Sequence, residues 1–228
     1  MTASRGASAA LILALSLVAC GSPPVPSVAP TTCPTAAPSA GEATTILADA
    51  KRAVLETTLG SFTIELDQRT APIATANFVA LARCGFYAQI SFHRVLDGFV
   101  AQAGDPQTRS NHGSFDGLGS GGPGYSFLVE FPNEAQPYEK YVVAMANAMQ
   151  YDPVSGQIAG GTDTNGSQFF IDLDNLVGGL RPYYSVIGKV VEGTDVIDRI
   201  GAVPVSDPSS GLPIEPVIIQ SVTIQSGA

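Results

Sequence analysis

Arg94 is a permanently charged fork with five N–H donors set among apolar residues, and Gln102 offers an amide eight residues further on. Both stand in the run Phe92-His93-Arg94-Val95-Leu96-Asp97-Gly98-Phe99-Val100-Ala101-Gln102-Ala103-Gly104-Asp105-Pro106. Read as strand–turn–strand, with side chains alternating between faces, this run lets Arg94, Phe99 and Gln102 converge on one concave face. A second run, Asn165-Gly166-Ser167-Gln168-Phe169-Phe170, adds an aromatic pair in a similar polar-turn-then-strand setting. Neither run offers a nucleophile with a partnered base. The chemistry implied is recognition and polarisation of an uncharged group without bond cleavage. Taken alone, Arg94 could as well pair with a carboxylate. Its company favours a binding face: Phe99, Gln102, Phe169, Phe170 and the strand end Met145-Ala146-Asn147-Ala148 supply an apolar floor, an amide and backbone groups.

Other patterns carry less. Gly119-Ser120-Gly121-Gly122-Pro123-Gly124 matches G-x-G-x-x-G, but it follows a polar loop and runs into Tyr125-Ser126-Phe127 instead of a helix, so the dinucleotide context is missing. His93 and His112 are the only histidines and have no Cys or carboxylate at metal-ligand spacing, so neither a metal nor any other cofactor is expected. Ser91 and Ser114 lie near them without a nucleophile-elbow pattern. Asp163, Asn165 and Gly166 lack the distal Glu of a calcium loop and read as a tight turn.

The elements that must position these residues are short strands. Val54–Thr58 and Ser61–Leu66 alternate around Leu59-Gly60 as a hairpin. Pro72 opens a helical pattern that ends by Gly85. Further strands are predicted at Ser91–Val95, Phe99–Ala103, Ser126–Val129, Tyr141–Ala146, Gln168–Leu173, Tyr184–Val191 and Val217–Ile224. Thr194 is expected to cap a second helix through Ile200. About eight short strands with two helices and Gly-rich loops suit a mainly β chain forming a closed antiparallel barrel, which removes exposed edges. Periodicity alone leaves a sandwich nearly as well supported. Two long loops, Gln107 to Gly124 and Met149 to Thr164, stand out.

The motifs F-H-R-V-x-x-G-F-V-x-Q-x-G-D-P, G-G-P-G-Y-x-F, M-A-N-A and T-N-G-S-Q-F-F resemble those of the cyclophilin family of peptidyl-prolyl cis–trans isomerases. The similarity runs in order from about Val54 to Ile224. It implies an eight-stranded antiparallel barrel capped by two helices and an isomerase acting on Pro-containing polypeptide segments. By resemblance, Arg94 matches the catalytic arginine, Phe99 and Phe170 wall the proline pocket, and Gln102 holds substrate backbone. Ala146 and Asn147 match the segment that pairs with residues preceding proline. Val100, at a position often filled by Met, lines the same pocket, and Leu180 and Tyr184 match its far rim. Gly179 stands where many eukaryotic members carry Trp, and Tyr184 where they often carry His. The Met149–Thr164 loop is roughly ten residues longer than usual, with its ends beside the expected groove. A different class, a module that binds Pro-containing segments without turnover, would use the same pocket.

The rest of the chain speaks to location. A net charge of −9 with no Lys/Arg run argues against nucleic acid. Arg5 followed by the apolar run Ala9 to Val18 is too short to span a bilayer and reads as a signal peptide over 1–19. Leu17-Val18-Ala19-Cys20-Gly21 resembles a bacterial lipobox, with Cys20 lipidated and anchoring an exported, monomeric protein to the membrane. Residues 20–50, rich in Pro, Ala, Ser and Thr, read as a disordered tether, and 51–228 as the isomerase domain. Such a tether lacks fixed geometry to favour a Cys33–Cys84 bridge, so an idle, buried Cys84 is expected.

Overall fold

The computed structural model describes residues 32–110, 117–132 and 138–226, together with Met1. Three helices, α1 (Ala40–Leu47), α2 (Pro72–Arg83) and α3 (Thr194–Gly201), accompany eleven strand segments. The segments are β1 (Arg52–Thr57), β2 (Gly60–Leu66), β3 (Ile90–Phe92), β4 (Arg94–Leu96), β5 (Val100–Ala103), β6 (Val142–Met145), β7 (Gln150–Tyr151), β8 (Ile158–Gly160), β9 (Phe169–Asp172), β10 (Val186–Glu192) and β11 (Val217–Gln225).

Nine of them form one sheet in the order β3-β11-β1-β2-β10-β6-β9-β5-β4, every neighbouring pair antiparallel. The two ends of that order, β3 and β4, are separated in sequence by His93 alone. Residues 90–96 are therefore one bent strand that pairs with β11 through its first half and with β5 through its second. The sheet closes on itself, and the nine segments amount to eight strands of a barrel. Closure leaves no unpaired edge.

Alternation decides which side chains fill the interior. Leu55, Phe62, Ile64, Val95, Ala101, Val143, Met145, Phe169 and Ile171 point inward and are buried, while Glu56 and Glu65 on the same strands stay exposed. Phe169 is the hub, edge-on to Phe78 and Tyr87 from the α2 side and to Phe92 across the barrel. A second, smaller apolar cluster lies on the outer face: Val100, Tyr138, Val142, Ala144, Phe170 and Val186.

Several expectations are corrected. Ser126–Val129 is not a strand; it contributes a single bridge, Phe127 to Asn165. Thr194 does not cap α3; Gly193, with φ of 73°, precedes it and no side chain caps its first turn. The largest correction concerns residues 33–50, read as tether. Ser39 and Glu42 form a capping box at the start of α1, whose Ala43 and Leu47 are buried. Arg83 of α2 bonds to Ile46 O at 3.2 Å and Asp49 at 2.7 Å, and Cys33 is disulfide-bonded to Cys84. The Pro-rich composition concealed a helix small enough to be specified by one cap and two apolar positions at i and i+4. Cys20 and the segment 2–31 lie outside the described residues, as does His112.

Candidate functional site

The outer face of the barrel carries the site because register aligns it. Arg94 pairs with Gln102, Gln102 with Phe170, Phe170 with Ala144, and Ala144 with Val186. One row thus crosses five strands with all its side chains on the same face. Loop residues complete the wall. Phe99 enters from the β4–β5 turn, whose Phe99 N–H donates to Leu96 O at 2.9 Å. Leu180 comes from a turn closed by its own N–H to Leu176 O at 2.9 Å. Around a cavity of about 160 Å³ stand Arg94, Phe99, Val100, Gln102, Ala146, Asn147, Phe170, Leu180 and Tyr184. All nine pocket residues singled out in the sequence meet there.

Arg94 is half-buried, with its guanidinium carbon 5.8 Å from the Phe99 ring centroid. Among the described residues it makes no ion pair and no hydrogen bond, so its donors face the cavity unclaimed. Burial pulls its pKa below the ordinary arginine value, and the nearby Tyr184 phenol works in the opposite direction. Among the described residues, the carboxylate pairing that the isolated residue allowed is not present.

Gln102 is oriented through a chain of bonds. Its Nε2 donates to Gln168 Oε1 at 2.9 Å, and Gln168 Nε2 donates to Gly121 O at 2.7 Å. Gly121 is fixed by Asp105, a fully buried carboxylate that accepts from Gly119 N at 2.6 Å, Gly121 N at 3.1 Å and Gln107 N at 2.8 Å. The Gly-rich stretch 119–124 therefore wraps a carboxylate of this chain. A Cβ on Gly121 would collide with Asp105. One N–H of the Gln102 amide is thereby committed, which fixes the amide plane at the cavity wall and leaves its second N–H and its carbonyl oxygen uncommitted.

Asn147 spends its side chain locally: Nδ2 donates to Tyr183 O at 2.8 Å and Oδ1 accepts from Met149 N at 3.1 Å. Its backbone N–H and C=O have no partner among the described residues, leaving them for an incoming strand. Tyr184 stands edge-on to Phe170, with ring centroids 5.1 Å apart. Buried Tyr138 clasps Tyr184 from behind, its hydroxyl donating to Tyr184 O and accepting from Tyr184 N, both at 3.1 Å.

Two positioning residues escaped the sequence reading. Gln168 was legible in principle, since it shares the parity of Phe170 on β9 and of Gln102 across the ladder. Tyr138 carried no local signal, because it lies in a stretch with no periodicity. His93, at the bend between β3 and β4, is buried, and among the described residues neither ring nitrogen has a well-formed hydrogen bond; burial holds its pKa down at about 4 against upward pulls from Asp105 and the Ser91 backbone. Among the described residues no three His, Cys, Asp or Glu side chains are grouped to hold a metal ion.

A cavity walled by Phe99, Val100, Phe170 and Leu180, with one uncommitted cationic donor, one anchored amide and a free backbone segment, is a site for a polypeptide. It can grip and polarise an amide, and among the described residues it offers no nucleophile paired with a base. Comparison with known proteins agrees. The family model for the cyclophilin-type peptidyl-prolyl cis-trans isomerase matches residues 52–224. The chain belongs to that family and is a peptidyl-prolyl cis–trans isomerase. It is 37% identical over 159 residues to a peptidyl-prolyl cis-trans isomerase of Helicobacter pylori, covering 68% of this chain and 82% of that protein. It is 35% identical over 189 residues to peptidyl-prolyl cis-trans isomerase A of Mycobacterium tuberculosis, covering 75% and 91%. A crystal structure of a cyclophilin-type isomerase from Cryptosporidium parvum superposes with a TM-score of 0.64 at 31% identity, covering 78% of this chain and 99% of that one.

Proposed function

We propose that this isomerase accelerates the folding of exported proteins at a cell envelope, and that Arg94 assists twisting of the X-Pro amide. The observation that carries the mechanism is Arg94 itself, half-buried beside the cavity with no acid paired to it among the described residues. Amide resonance sets an uncatalysed barrier of about 18–20 kcal/mol. In the twisted state the prolyl nitrogen regains its lone pair and becomes an acceptor. Phe99, Val100, Phe170 and Leu180 hold the ring, the Gln102 amide and the Asn147 backbone fix the flanking chain, and Arg94 donates to that nitrogen. A charge-assisted hydrogen bond is worth about 1.5–3 kcal/mol, so Arg94 supplies roughly ten- to a hundredfold in rate. Preorganised binding of the twisted form supplies the rest. Because arginine stays charged, activity is flat around neutral pH.

The envelope location rests on the short apolar leader, the lipobox-like Cys20 and the Cys33–Cys84 disulfide, a bond that persists in oxidising compartments. The disulfide also shortens the leash. Twelve residues, 21–32, separate Cys20 from Cys33, a reach of at most roughly 45 Å. The decisive assay is prolyl isomerisation by the full-length protein in detergent, wild type against Arg94→Ala. A ten- to hundredfold loss is expected; full activity in the variant rejects the arginine mechanism. Loss of membrane association in Cys20→Ser tests the anchor.

A further inference from the structure

The hairpin β7–β8 stands beside the prolyl cavity, tied there by one arginine. Arg181 donates to Gly156 O at the hairpin turn at 3.0 Å, and the Tyr183 hydroxyl donates to the same carbonyl at 3.2 Å. The Arg181 guanidinium lies 4.8 Å from the Tyr151 ring centroid and 6.0 Å from that of Tyr183. Phe131 and Tyr151 flank Tyr183 at centroid distances of 6.4 and 6.5 Å. Three rings therefore form a row, the outer two 46% and 50% exposed. The row abuts the cavity in two places. Asn147 Nδ2 holds the Tyr183 carbonyl, and the Tyr151 phenol lies near enough to Tyr184 to add to burial in raising that phenol's pKa.

Continuity with the groove identifies the occupant. A polypeptide that pairs with the free Asn147 backbone and seats its proline against Phe170 comes within reach of this row, because the Asn147 side chain holds the Tyr183 carbonyl. In an extended chain, residues two and three positions before the proline lie roughly 7–10 Å from it. We propose that the Phe131–Tyr183–Tyr151 row is a specificity subsite for an aromatic side chain two or three residues before the substrate proline, with Arg181 as its positioning residue. The inference rests on the isomerase reading and deepens it. Rings recognise rings here by edge-to-face contact, and Arg181 keeps Tyr151 in line by stacking on it.

The experiment is steady-state isomerisation by the full-length protein in detergent, using peptides with Phe, Ala or Glu two and three residues before proline. Wild type is expected to favour Phe over Ala roughly two- to tenfold in kcat/KM, the difference lying in KM. Tyr151→Ala and Arg181→Ala should erase that preference and leave the rate on the Ala peptide unchanged, whereas Tyr151→Phe should keep it. The proposal is overturned if wild type shows no preference, if both alanine variants retain it, or if Tyr151→Phe loses it. Failure of the underlying isomerase reading would look different, with no acceleration on any peptide.

Discussion

The prolyl cavity and the hairpin beside it face the same substrate but are held by different physics. The cavity floor is a row of residues in register across five strands, backed by a barrel whose inner residues are almost wholly buried. To displace Arg94 or Gln102, a ladder must break. The hairpin has two short strands of two and three residues, exposed along most of their length, and depends on the contacts of Arg181 and Tyr183 with one carbonyl. Reaction chemistry sits where position is fixed cooperatively, and the proposed selectivity sits where one or two side chains fix it. Substitutions should therefore separate cleanly into those that change stability and turnover and those that change preference alone.

The largest effect should come from behind the cavity wall. Asp172 lies on the cavity face of β9, fully buried, with neither carboxylate oxygen bonded among the described residues, and burial pushes its pKa up to about 8. A carboxyl protonated in the fold and ionised when unfolded stabilises the fold fully below about pH 4 and loses that contribution as pH rises through 8. His93 acts with the opposite sign. Its folded value of about 4 lies below the ordinary 6.5, so its contribution is present above pH 6.5 and lost as pH falls toward 4. Between pH 4 and 6.5 the two slopes oppose each other, and from 6.5 to 8 only the Asp172 loss remains. Unfolding free energy should thus be nearly flat and then fall. Asp172→Asn should remove the fall, for a relative gain on the order of a few kcal/mol at pH 8. His93→Gln should extend the decline down to pH 4. Denaturant titrations across this range test both; an unchanged profile in Asp172→Asn would mean that the strand-built wall stores no such cost.

How much of this was legible follows the same division. Strand–turn–strand alternation over Phe92–Pro106 brought Arg94, Phe99 and Gln102 to one face, because a period of two is a local property of strands, whereas Phe170 was tied to that face through the family resemblance. The closure of the barrel at His93 was not visible, since a bend within one strand leaves no mark on alternation. Helix α1 was hidden by a Pro-rich context, although Ser39 and Glu42 carried the capping box. Nothing in the sequence marks Asp172 as buried; it faces Val100 across the ladder and lies near the Tyr138 phenol, a setting that only the folded chain creates. The hairpin's link to Arg181 joins residues 25 apart through a backbone carbonyl, which no side-chain pattern announces.

An intermediate effect is expected where a side chain positions the cavity without lining it. Gln168→Ala removes the acceptor that holds the Gln102 amide and the link to Gly121. One hydrogen bond of ordinary strength is worth about 0.5–1.5 kcal/mol, or roughly two- to tenfold in rate. The loss should appear in kcat/KM on every peptide whatever its flanking residues. A loss confined to aromatic peptides would place Gln168 with the hairpin and blur the division.

The smallest effect should come from Gly156, and it is the sharpest test of the loop-built half. Gly156 has φ of 70°, and a Cβ there would meet Arg181 Nη1 at 2.8 Å. Gly156→Ala therefore adds left-handed strain of about 1 kcal/mol and displaces the guanidinium that stacks on Tyr151. None of this reaches the barrel ladder. Thermal stability and turnover of a peptide with Ala before proline should stay at wild-type values, while amides 152–157 exchange faster with deuterium and the aromatic preference shrinks. Were Gly156→Ala to lower the melting temperature as a whole, the hairpin would be part of the cooperative barrel. Preference could then not be altered independently of stability.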